Sequence, residues 1–330
     1  MCTMILLYVD DMIITGDDVA EIARLQDNLS VRFEMKNLGE VGCFLGLEIE
    51  KADGYFVSQK GYATSLMKRF GMDDAKPMAT PMEAGLKLLK DEGKLLKDPT
   101  LYRQLVGSLI YLTITRPDIL YAVGVVSQFM EKPCVSHWIA AKRVLRYVKG
   151  TLEYGLMYTG SKECSLHGFV DADWAGDMND RRSTTGYCFY MGSAAVSWCS
   201  KKQRNVALSS TEAEYVASTM ATQECIWLKR LIGDISNKVD YSVPIKCDNQ
   251  SAMQLAANPV FHARSKHIEI QHHFVREKVI DREIELQNIP SEEQVADVFT
   301  KALGRVKFEN FRNLLGVIDR NYALRGSVKN

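Results

Sequence analysis

Acidic side chains in the second half of the chain recur where secondary structure would begin or end. Asp171 closes a β-prone run in Gly168-Phe169-Val170-Asp171-Ala172-Asp173-Trp174, and Asp248 closes another in Ile245-Lys246-Cys247-Asp248-Asn249-Gln250. Glu212 and Glu214 stand near the start of a long helical pattern, and Asp297 falls in the second turn of a later one. Strand ends in layered sheets are where sites gather. Carboxylates brought together repel one another, and Mg²⁺ relieves that repulsion. Two such ions about 3.5–4 Å apart can clamp a phosphodiester, activating water on one side and stabilising the leaving oxygen on the other.

Each acid also has a plain structural reading. Asp248 could cap the helix that starts near Asn249. Asp173 shares strand parity with Asp171 and could be a surface acid. Glu292 and Glu293 favour a helix N-terminus, and Ser291 with Gln294 makes a capping box. Glu212 and Glu214 lie about 100° to either side of Ala213 on the helix, so spacing does not choose between them. Glu224 falls inside the apolar stripe of that helix and needs a buried donor.

The elements that must position these groups form two textures. Before residue 160 there is a hairpin (Ile5–Val9 and Met12–Gly16 around Asp10-Asp11), then a helical pattern from Val19 capped by Asp17 or Asp18. A second hairpin, Cys43–Lys51 with Tyr55–Ser58, turns at Ala52-Asp53-Gly54. Helices follow over 61–70, Tyr102–Thr113, Pro117–Met130 and Val135–Lys149. The last carries Lys142, Arg143, Arg146 and Lys149 and no acid, which reads as a solvated face or a phosphate-facing stripe. After residue 160 come strand Leu166–Asp171, strands 186–190 and 194–199, helix Ser210–Ile232 and strand Ile245–Asp248. Helices 250–257 and 267–278, strand Glu283–Ile289 and helix 292–302 complete the order. That order predicts an α/β (α+β) domain, a mixed sheet with helices on its faces.

Composition narrows the function classes. The 330 residues carry 41 basic and 41 acidic side chains and are 46% hydrophobic, which argues against disorder and against a uniformly basic coat protein. The eight cysteines form no C-x-x-C pair, so a structural zinc site and a disulfide framework both lack support. No apolar run reaches the roughly 18 residues of a membrane span. The opening run meets acids at once and has no basic flank, so it reads as a strand and not a signal peptide. The expectation is an intracellular chain, cytoplasmic or nuclear, with no membrane partner.

Several runs carry a family resemblance. They are Asp171 through Asp177, Asp180-Arg181-Arg182-Ser183-Thr184-Thr185-Gly186-Tyr187, Ser197-Trp198 through Lys201-Lys202-Gln203, and Leu208-Ser209-Ser210-Thr211-Glu212-Ala213-Glu214-Tyr215. Cys247-Asp248-Asn249-Gln250-Ser251-Ala252, Lys266-His267-Ile268-Glu269-Ile270 and Ala296-Asp297-Val298-Phe299-Thr300-Lys301 continue them. Together they resemble the RNase H domain of a copia-type LTR retrotransposon Pol polyprotein. The resemblance implies an RNase H-like mixed five-stranded sheet with flanking helices over 161–305. It also implies Mg²⁺-dependent hydrolysis of the RNA strand of an RNA–DNA hybrid, with two ions and Mn²⁺ as a substitute. By motif position the metal ligands and catalytic residues are Asp171, Glu214, Asp248 and Asp297. Many cellular RNases H carry a mobile histidine shortly before the last aspartate; Pro290–Ala296 has none, and His267, His272 and His273 lie upstream. Lys201, Lys202 and Arg204 join Lys142, Arg143, Arg146 and Lys149 as candidate nucleic-acid contacts.

The first half resembles the C-terminal part of the reverse transcriptase of the same polyprotein. Tyr8-Val9-Asp10-Asp11 resembles the metal-binding hairpin of a polymerase palm. Gly39 through Gly46 to Glu48, Ser58-Gln59, Pro77 to Pro81, Tyr102, Gly107, Tyr111 and Thr115-Arg116-Pro117-Asp118 follow in order. The expectation is that residues 1–160 are a truncated reverse transcriptase with thumb- and connection-like helices. Asp10 and Asp11 would be a vestigial polymerase site, because a further palm aspartate should precede Met1. Residues 306–330 are expected to be a basic tail, since Lys301 to Asn330 holds seven Lys/Arg against two acids. The expected partners are an RNA–DNA hybrid and other retroelement polyprotein products; the alternative is a catalytically silent relic that only binds nucleic acid. Arg143-Val144-Leu145-Arg146 also fits an R-x-L-R effector pattern, but it lies inside a predicted helix with no signal-peptide pattern before it.

Overall fold

The structure is a computed structural model that describes residues 3–160, 164–235, 239–257 and 266–325. It opens on an isolated antiparallel pair, β1 (Thr3–Tyr8) and β2 (Asp11–Gly16), with Tyr8 opposite Asp11. Asp18, not Asp17, caps α1 (Val19–Arg32), its Oδ1 accepting from the N–H groups of Ala20 and Glu21 at 3.0 and 3.1 Å. No residue of α1 is buried.

A meander follows: β3 (Cys43–Phe44), β4 (Leu47–Ala52) and β5 (Gly54–Ser58). Then come α2 (Lys60–Arg69), α3 (Thr100–Leu112), a 3-10 turn at Pro117–Ile119 leading into α4 (Leu120–Ser127), and α5 (Val135–Gly150). The chain returns to the meander through β6 (Tyr154–Tyr158), which pairs with β5.

The second sheet contains β7 (Leu166–Asp173), β8 (Thr184–Met191) and β9 (Ala195–Lys202), joined antiparallel. After α6 (Ser210–Ile235), β10 (Val243–Cys247) runs parallel to β7. After α7 (Gln250–Ala257) and α8 (Lys266–Ile280), β11 (Ile284–Asn288) runs parallel to β10. The order β11-β10-β7-β8-β9 is the mixed five-stranded sheet with flanking helices expected from the sequence.

Strand alternation sends residues from this sheet into two cores. Val170, Tyr187 and Phe189 face α6, together with Ala213, Tyr215 and Ala217. Phe169, Cys188 and Tyr190 face the other way, into a core shared with Leu105, Leu109, Val144 and Leu145 of α3 and α5. One apolar core therefore runs across residue 160.

Two expected elements differ. The helix foreseen over 292–302 is a short 3-10 turn, Val295–Phe299. Ser291 does not close a capping box; its hydroxyl donates to Asp248 Oδ2 at 2.7 Å. Gln294 uses its amide on the Val170 carbonyl at 2.9 Å, which draws the turn onto the sheet. The stretch expected as a basic tail is folded as far as residue 325, with 326–330 outside the described residues. It forms α9 (Arg305–Leu314), β12 (Val317–Asp319) and α10 (Arg320–Arg325). The reason is apolar: Phe308, Phe311, Leu315 and Val317 are buried, and β12 extends the meander sheet beside β6. Arg320 grips the Glu50 carboxylate with two nitrogens at 2.6–2.9 Å.

Candidate functional site

Asp171 lies near the end of β7, opposite Gly186 of β8. That glycine is required by a close approach: a Cβ there would stand 2.6 Å from Thr300 Cγ2, 2.8 Å from Phe299 Cβ and 3.0 Å from the Ala296 carbonyl oxygen. The bare backbone lets the Val295–Phe299 turn settle on the sheet and bring Asp297 beside Asp171. Both carboxylates are 3% exposed.

The turn also supplies the partners. The Thr300 hydroxyl donates to Asp171 Oδ2. Lys301 Nζ lies 2.7 Å from Asp297 Oδ1 and 3.6 Å from Asp171 Oδ2, while Lys307 Nζ lies 2.7 Å from Asp297 Oδ2. Burial pushes the Asp171 carboxyl up to about 6; Lys301 pulls against that and Asp297 adds to it. Burial also works against the charge of Lys301, but Asp171 and Asp297 overcome it and hold the ammonium well above its ordinary range.

Glu212 and Glu214 are separated by the helix start. Ser209 Oγ accepts from the Glu212 N–H at 3.1 Å, and Glu212 Oε2 accepts from the Leu208 N–H at 2.9 Å, so half-buried Glu212 closes the helix end. Glu214 turns inward. It is 6% exposed, and its Oε2 is buried without a hydrogen-bond partner. Burial first, then Asp171 and Asp248, push its carboxyl up to about 9, while a backbone hydrogen bond from Ala172 acts in the opposite sense.

Asp248 follows the last residue of β10. The helix-cap reading goes to its neighbour, since Asn249 Oδ1 accepts from the Ala252 N–H at 3.0 Å. The ligand-type atoms of Glu214, Cys247 and Asp248 all lie within 4.8 Å of one another. Four elements thus bring Asp171, Glu214, Asp248 and Asp297 to one end of the mixed sheet. A buried carboxylate oxygen without a donor, among acids that raise one another, is an arrangement a divalent cation fits.

Sequence spacing missed Thr300, Lys301, Lys307 and Ser291 as partners of these acids. Thr300 and Lys301 were legible as neighbours three and four residues past Asp297. Lys307 depends on the path of the chain after the turn, and Ser291 on the path before it. Glu224 Oε1 accepts from the Ser197 hydroxyl at 2.7 Å, and the Tyr187 side chain hydrogen-bonds the same carboxylate.

The basic candidates divide. Arg143 donates to Thr80 Oγ1 at 3.1 Å, Arg146 to the Lys76 carbonyl at 2.6 Å, and Lys149 to the Asp73 carbonyl. Lys142 sits over the Trp138 ring at 5.0 Å. The stripe on α5 therefore fastens the 73–83 segment. Lys202 pairs with Asp177 and, at 2.8 Å, with Asp180. Lys201 and Arg204 are exposed. The R-x-L-R tetrapeptide is in the middle of α5.

Asp10 and Asp11 are at the exposed turn of the β1–β2 hairpin, where Val9 takes a φ of 49°. Among the described residues they belong to no group of three metal-type ligands. His273 is exposed, and the side chains of His267 and His272 lie outside the described residues. No helix among the described residues is long and apolar enough to cross a membrane.

Comparisons with known proteins bear on both halves. A family profile described as "Reverse transcriptase (RNA-dependent DNA polymerase)" matches residues 2–84. The retrovirus-related Pol polyprotein from transposon RE2 of Arabidopsis thaliana is 44% identical over 314 residues, 95% of this chain and 22% of that protein. The chain thus spans about a fifth of the length of such a polyprotein. A putative transposon Ty5-1 protein of Saccharomyces cerevisiae is 32% identical over 224 residues, 67% of this chain and 73% of that one. A secreted RxLR effector protein of Plasmopara viticola is 56% identical over 128 residues, 38% of this chain and 90% of that one. Among solved structures, a foamy viral protease-reverse transcriptase in complex with double-stranded DNA shares the fold. Its TM-score is 0.53 at 13% identity, covering 87% of this chain and 46% of that one.

Proposed function

Because the chain belongs to the Pol polyproteins of copia-type retrotransposons, we propose that its second half is a divalent-metal-dependent nuclease acting on the RNA strand of RNA–DNA hybrids. The observation that supports this most is the meeting of Asp171, Glu214, Asp248 and Asp297 at one sheet end, with Glu214 Oε2 buried and unpartnered. The oxygen donors suit a hard cation, Mg²⁺ or Mn²⁺. When bound, two such ions supply an activated water and charge neutralisation at the phosphodiester.

The chain's own residues prepare that chemistry. Asp171 and Asp248 would hold the ions, and Glu214 and Asp297 would complete the set. The Thr300 and Ser291 hydroxyls fix the rotamers of Asp171 and Asp248. Lys301 and Lys307 neutralise Asp297, which lets several acids share a buried position. Lys201 stands two strands away from β7, roughly 10 Å, within reach of a neighbouring phosphate of a bound hybrid. Residues 161–305 are read as the nuclease unit, with 306–325 completing the meander sheet. Residues 1–160 are read as reverse-transcriptase-derived, Asp10 and Asp11 marking its polymerase hairpin. Other products of the same polyprotein are the partners this reading implies.

The test is a labelled RNA–DNA hybrid incubated with the purified chain and Mg²⁺. Cleavage of the RNA strand, with single-stranded RNA and duplex DNA left intact, is expected. Steeply salt-dependent binding without cleavage would favour a catalytically silent nucleic-acid binder instead.

A further inference from the structure

Cys247 has no part in the nuclease reading, yet its sulfur faces the same place as two of the acids. It is the last residue of β10, and the chain leaves the strand at Asp248. Leaving the strand breaks the alternation that would send neighbouring side chains to opposite faces. The Cys247 Sγ and one oxygen each of Glu214 and Asp248 consequently lie within 4.8 Å of one another. The thiol is fully buried, Glu214 is 6% exposed, and Glu214 Oε2 lacks any protein donor. The Asn249 N–H points at Sγ from 3.4 Å, an orientation that favours negative charge on sulfur.

We propose that Glu214, Cys247 and Asp248 form a site for a soft divalent cation, Zn²⁺ or Cd²⁺, ligated by one thiolate and two carboxylates. It rests on the reading of Glu214 and Asp248 as metal-facing groups and adds a ligand that Mg²⁺ does not use. At a tetrahedral zinc centre sulfur and oxygen ligands stand roughly 3.6 Å apart, so the three donors close on the ion with shifts of about 1 Å or less. On binding, the Cys247 S–H and the Glu214 O–H bonds break, sulfur–metal and oxygen–metal bonds form, and both protons pass to solvent; no electron is transferred. The half-exposed Asp248 is the entry side. A cation held here takes Glu214 and Asp248 away from Mg²⁺, so soft metals inhibit the hard-metal reaction at the same carboxylates.

The test is a Cd²⁺ titration of the full chain, read by the ultraviolet sulfur-to-cadmium charge-transfer band. The wild type is expected to bind one equivalent more than Cys247→Ser, and Glu214→Gln to weaken that equivalent at least tenfold. Cadmium-113 NMR of the wild type provides a reading that needs no variant: one resonance from a single-sulfur, oxygen-rich site. An identical band in Cys247→Ser, indifference to Glu214→Gln, or no such resonance would overturn the site. Absence of hybrid cleavage with Mg²⁺ would instead overturn the nuclease reading and leave the cadmium band in place.

Discussion

Glu214→Gln tests the electrostatics of the site through stability. The folded protein raises this carboxyl from its ordinary 4.5 to about 9, chiefly by burial and then through Asp171 and Asp248. A group whose folded form binds its proton more tightly contributes fully below pH 4.5, and that contribution fades as pH climbs toward 9. At pH 7 the unfolded chain is ionised and the folded chain protonated, a gap of about 2.5 pH units. At 1.36 kcal/mol per unit this is about 3 kcal/mol of destabilisation. Gln keeps the shape and cannot ionise, so the variant should be more stable than the wild type at pH 7 in EDTA by about 1–3 kcal/mol. The range is set below the ceiling because Asp171 and Asp248 readjust. The difference should vanish near pH 4 and grow at pH 8. Urea unfolding at each pH measures it, and Mg²⁺ should narrow the gap by stabilising the wild type alone. A variant less stable than wild type at pH 7, or a difference that ignores pH, would refute the reasoning.

Other outcomes follow from single contacts. Asp118 is fully buried, holds Arg116 at 2.8 Å and accepts from the Tyr147 hydroxyl at 2.5 Å. Asp118→Asn strands the Arg116 charge and should cost about 3–5 kcal/mol by urea unfolding. Gly186→Ala forces its Cβ against Thr300, Phe299 and the Ala296 carbonyl. It should lose about 1–3 kcal/mol and most hybrid cleavage, since Asp297 moves with that turn. Replacing Lys201 and Arg204 together by Ala should weaken hybrid binding and reduce the salt slope by about 2. Arg146→Met should leave that slope unchanged and instead raise protease sensitivity over 73–83, because its guanidinium fastens that segment.

The parts of the fold legible in the sequence were those set by local pattern. Strand ends located Asp171 and Asp248, and the long helix was bounded to within a few residues. The choice of Glu214 over Glu212 was legible in principle, since Ser209 and Glu212 have capping-box spacing, but helix angles alone left it open. What spacing missed depends on contacts far along the chain. The turn carrying Asp297 stays short because Gln294 bonds across to Val170 and Ser291 to Asp248. The bases of α5 read as a phosphate stripe because nothing local reveals that the 73–83 backbone lies against them. The last segment read as a tail on charge, while its buried phenylalanines tie it to both α5 and the meander sheet.

Cleavage chemistry on a defined hybrid, with wild type and Asp171→Asn side by side, is the most direct measurement. Attack by an activated water leaves the 2′-hydroxyl out of the reaction. In Mg²⁺ and ¹⁸O-labelled water, the wild type should cut the RNA strand and carry the label on the new terminal phosphate, with no 2′,3′-cyclic product. Asp171→Asn, folded by circular dichroism, should cut at least a hundredfold more slowly. Equal rates from the two proteins, cyclic-phosphate ends, or no cleavage by folded wild type would contradict the account.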